Sequence, residues 1–82
     1  MDNSIKKNIV ASSAAYILGL KPAVKISGTK NQKKVFSEVL TSSKHLYRML
    51  QEGNDSLLEK SLAAKKQSAK EFRKVFGWSW PF

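Results

Sequence analysis

The sequence predicts an all-α fold: a small three-helix bundle with a C-terminal helical hairpin and an aromatic tail. Three observations predict it. Apolar residues recur at three- and four-residue intervals in three separate stretches. Glycine follows each stretch, at Gly19, Gly53 and Gly77, where a left-handed residue ends a helix without steric cost. At 82 residues the chain allows one domain, covering 1–82, which buries only about 60–65% of its unfolded surface.

The first helix is expected over residues 4–18. Asp2, Asn3 and Ser4 supply N-cap chemistry, and Gly19 with Pro22 supplies the stop. Ala11, Ser12, Ser13, Ala14 and Ala15 are small enough for a neighbouring backbone to approach closely, so tight packing is expected. Lys6 and Lys7 ahead of this apolar run resemble the opening of a signal peptide. The run from Ile9 to Leu20 is too short to cross a bilayer. The run is read as a helix of the mature fold and not as a cleaved leader; the compartment is left open, with an intracellular protein expected.

Residues 21–28 change character. Pro22 blocks helix continuation, and Val24 and Ile26 alternate with Lys25 and Ser27. With no second strand to pair with, the segment reads as a connector whose Val24 and Ile26 dip towards the core.

The second helix is expected over residues 30–52. Thr29 and Gln32 form a capping box, and Gly53 is the C-terminal stop. Its apolar side takes Phe36, Val39, Leu40, Leu46, Tyr47 and Leu50. After a turn at Asn54 and Asp55, Ser56 and Glu59 read as a second capping box opening a helix over residues 56–76. Leu58, Leu62, Ala69, Phe72 and Phe76 make its apolar stripe, interrupted by Lys65. The short turn makes these two helices antiparallel neighbours.

Charge is the strongest functional signal. Fifteen Lys and Arg against six Asp and Glu give a formal net charge of +9, enough to attract polyanions. On the second helix Lys30, Lys34, Lys44 and Arg48 share one face with Ser37 and Thr41 between them; on the third, Lys66, Lys70, Arg73 and Lys74 cluster. Set side by side, the two rows would make one broad cationic surface that reaches several phosphates. Thirteen lysines to two arginines suit diffuse phosphate contact better than bidentate reading of bases.

Catalysis finds little material. His45 is the single histidine, there is no Gly-rich phosphate loop, and no nucleophile has an assignable base. Without cysteine there are no disulfides or thiolate metal sites. A non-enzymatic protein without metal or cofactor is expected.

Trp78, Trp80 and Phe82 place three large aromatics in the last five residues. The expected role is to fold back over the core, above Tyr16 or Tyr47; the functional alternative is a docking peptide for a partner protein or a second copy, stiffened by Pro81. Stacking of the indoles on unpaired bases ranks third.

Leu46-Tyr47-Arg48 resembles the tripeptide of the LYR-motif proteins, small basic three-helix mitochondrial subunits that engage acyl carrier protein. In that family the tripeptide lies near the start of the first helix; here it lies in the second with one helix after it, and Phe72 stands where a downstream phenylalanine would be sought. Read from the residues, Leu46 and Tyr47 face the core and Arg48 belongs to the basic row.

The sequence thus leads to a binding protein that contacts the phosphate backbone of nucleic acid, or another polyanion, through its lysine-rich faces. The rival is a small structural or adaptor subunit docking through its aromatic tail. Membrane-surface attachment ranks last, because bundle formation uses up the apolar faces.

Overall fold

The computed structural model describes residues 3–82, with side chains from Ile5 onward. Its helices are α1 (Asn3–Ile17), α2 (Lys30–Glu52) and α3 (Asp55–Phe76), each within one residue of its expected bounds. The agreement rests on caps. Thr29 accepts the Gln32 amide while the Gln32 side chain accepts the Thr29 amide, which completes the capping box expected at α2. At the other end Gly53 takes a left-handed φ of 67°, and Gly53 and Asn54 donate to the Leu50 and Met49 carbonyls as a Schellman motif. α1 ends the same way, with Gly19 donating to Tyr16 and Leu20 to Ala15.

One cap differs. The Ser56 and Glu59 box does not form; Asn54 is the N-cap, and its side chain accepts from both the Leu57 amide and the Ser56 hydroxyl. With only Gly53 and Asn54 between helices, α3 must begin at once. Asn54 is the residue that directly precedes the first turn, so its side-chain oxygen is the one placed to accept the Leu57 amide. The capping expected of Asp2, Asn3 and Ser4 falls on side chains outside the described residues.

α2 and α3 form the hairpin, and among the described helices α1 packs against α2. Their meeting line is lined by Val35, Val39, Ser42, Phe72 and small residues of α3, with Ser42 and Ser68 sharing a hydrogen bond of 3.2 Å. Phe36 and Leu40 turn towards the side on which α1 and the tail lie, and Ile17 joins them there. Two of the expected core positions sit outside: Leu50 is 57% exposed and Leu62 38%. Met49 is buried in place of Leu50. The buried positions of α2, Val35, Phe36, Val39, Leu40, Ser43 and Met49, serve α3, α1 and the tail together, so one straight apolar stripe does not describe it.

The tail folds back. Gly77, at φ 82°, donates to the Arg73 carbonyl and turns the chain over α3. Trp80 enters the core at 8% exposure, its ring 5.0 Å from Phe72 and 6.1 Å from Phe36 in edge contacts. Its indole N–H donates to the buried Ser43 hydroxyl at 2.8 Å. Phe72 is fully buried, stacked on Phe76 at 4.4 Å and edge-on to Trp78 at 4.8 Å. The rings beneath the tail are therefore Phe36 and Phe72, not Tyr16 or Tyr47.

Phe72→Ala should cost about 3–5 kcal/mol, most of the stability of so small a domain, and be read as a collapse of the urea midpoint. Trp80→Phe and Ser43→Ala should each cost about 1–3 kcal/mol, because each strands a buried polar partner, while the double variant should cost clearly less than their sum. Ser13 is fully buried and its hydroxyl has no hydrogen-bond partner among the described residues. Ser13→Ala should therefore raise the melting temperature, by an amount equivalent to about 1 kcal/mol.

Candidate polyanion-binding faces

Seven of the eight basic residues singled out keep exposed side chains: Lys30, Lys34 and Arg48 on α2, and Lys66, Lys70, Arg73 and Lys74 on α3. Lys44 leaves its row. Its ammonium sits 4.3 Å from the centre of the Tyr16 ring, a cation–π contact that ties α1 to α2.

The two rows do not lie alongside one another, contrary to the expected single surface. At about 100° per residue, Lys30, Lys34 and Arg48 lie about 130° around α2 from the Val35, Val39 and Ser42 line that meets α3. Lys66, Lys70 and Arg73 lie about 150° around α3 from its Ser61, Ser68 and Phe72 line. The rows also lean to opposite flanks. The α2 row leans to the flank of Glu38 and Ser42, which borders Ser68, and the α3 row to the flank over which the tail returns. Each helix must turn its apolar line to the other, so residues opposite that line end up on opposite sides of the hairpin.

The α3 row is the denser one. Lys66, Lys70 and Arg73 follow one another at four and three residues and border a groove of about 600 Å³ with Gln67, Ser79 and the edge of Trp80. Arg73 is braced by a hydrogen bond of 3.3 Å to the Ser79 hydroxyl. Lys74 pairs with Glu71 at 3.6 Å, an exposed pair of small energetic weight. It is the single ion pair among the described residues, so the other cations of the row face solvent without a carboxylate. Among these residues no cluster of His, Cys, Asp or Glu could hold a metal ion, and no helix is long and apolar enough to cross a membrane.

The tail residues fare differently from one another. Trp80 is committed to the core, Trp78 is half-buried under the Lys6 ammonium at 5.0 Å, and Phe82 is 36% exposed and rests on Trp80 at 5.4 Å. Leu46 and Tyr47 are half-buried and Arg48 is exposed. Sequence reasoning passed over Lys25 and Lys33, which line a cleft of about 400 Å³ between the connector and α2. The alternation at Val24 and Ile26 carried the signal for that cleft, but the wall opposite is set by how α2 packs. No protein-family model, curated protein or solved structure matches the chain.

Proposed function

We propose that the protein binds the phosphate backbone of nucleic acid through the α3 face formed by Lys66, Lys70, Arg73 and Lys74. The observation that carries this reading is the row of solvent-facing cations on α3 with Lys74 alone ion-paired, in a chain of net charge +9. Lysine ammoniums spaced along one helix face act as mobile point charges, which suits backbone contact without sequence reading. Lys30, Lys34 and Arg48 form a second, weaker face on the other side, so one straight duplex engages one face at a time. Docking through the tail draws less support, because Trp80 is occupied with Phe36, Phe72 and Ser43.

Titration of a short duplex at several salt concentrations tests this. The log–log slope should be about three to four in magnitude, the number of phosphates that one face reaches, and not the six or more expected of both rows together. Replacing Lys66 and Lys70 by Ala should lower it by about two and leave the melting temperature unchanged. Affinity no tighter than about 100 μM at low salt would remove the proposal.

A further inference from the structure

The connector between α1 and α2 is neither helix nor strand, yet its side chains alternate. Val24 and Ile26 are half-buried against the core, while Ala23, Lys25 and Ser27 are exposed. A period of two is that of extended backbone. No backbone–backbone hydrogen bond involves residues 21–28. The connector is thus a single extended segment whose amides and carbonyls have no backbone partner among the described residues, and such an edge is a template for another chain.

That edge borders the cleft of about 400 Å³. Residues 22–26 form one wall; the other is the α2 ridge of Lys33, Phe36, Ser37, Leu40 and Thr41, with Tyr16 contributing from α1. An extended edge beside a helix is the arrangement into which extended peptides dock by strand addition, main-chain hydrogen bonds giving affinity and alternate side chains entering the groove. Phe36 and Leu40 lie buried beneath the cleft, and the half-buried Tyr16, Val24 and Ile26 give it its accessible apolar surface. Lys25 and Lys33 line the cleft and no acidic residue does.

We propose that this cleft is a docking groove for an extended acidic peptide of a partner protein. The peptide adds as a strand to the connector, lays alternate apolar side chains against the half-buried Tyr16, Val24 and Ile26, and directs its carboxylates to Lys25 and Lys33. A second copy of the chain is a poor occupant, since its six acidic residues are scattered along the sequence and form no alternating acidic and apolar run. A phosphate backbone lacks the amides that complete a strand edge. The proposal uses residues separate from the α3 face and stands or falls independently of it.

The test uses the full ¹⁵N-labelled chain and a peptide of about eight residues alternating glutamate and valine. Amide shifts should concentrate on residues 22–28 and 33–41. Two further peptides, N-methylated on one or the other alternate set of residues, should differ. The set whose amides face the connector should bind about tenfold more weakly or worse, the other nearly as well as the parent. Lys25→Glu combined with Lys33→Glu should weaken the parent peptide by about tenfold without lowering the melting temperature, as both side chains are exposed. Four results would overturn the proposal: peptide binding weaker than about 1 mM, shifts confined to α3, equal affinity of all three peptides, or a single-stranded oligonucleotide occupying the cleft where the peptide does not.

Discussion

The fold depends on the Phe72 ring. It is fully buried, and it touches Phe76 from its own helix and both Trp78 and Trp80 from the returning tail. Through Trp80 it is linked to Phe36 and Ser43 on α2. A chain of this size cannot bury a large aliphatic core, and large rings supply the most apolar area per residue ordered. The hydrogen bond from the Trp80 indole to Ser43 adds direction to that burial, because a buried N–H without a partner would favour a different seating of the tail.

Concentrating the apolar surface in rings at one end of the hairpin has consequences elsewhere. At the α2–α3 turn Leu50 and Leu57 stay 57% and 42% exposed, and small serines and alanines carry the helix contact in between. The outward faces are left to lysine. Because α2 and α3 turn their apolar lines towards each other, their cationic rows point apart, and the protein has two charged sides in place of one broad patch. Lys44 is drawn out of its row by the Tyr16 ring, where an ammonium over the aromatic face also secures α1.

The connector shows how the same packing generates a site out of a segment with no regular structure. Val24 and Ile26 anchor it to the core, which holds an otherwise unpaired backbone next to the α2 ridge. Anchoring on alternate residues keeps the segment extended, and an extended segment retains its hydrogen-bonding groups in a row.

Local chemistry made much of this legible in the sequence. Helix bounds followed from Thr29 with Gln32 and from Gly19, Gly53 and Gly77, since caps act within a few residues. Asn54 displaced Ser56 as the α3 cap because the turn is too short to delay the helix, a geometric limit that the motif does not contain. The presence of each basic row was also written in its spacing. Their relative direction was not: it depends on which side of each helix meets the other and on which flank the tail returns, and both are set by long-range burial. The sequence by itself determined three capped helices, an aromatic tail and two cationic rows. Tertiary structure decided that Trp80 belongs to the core, that the rows diverge and that Lys25 and Lys33 border a cleft, because these relations join residues far apart in the chain and arise only when the apolar surfaces pack.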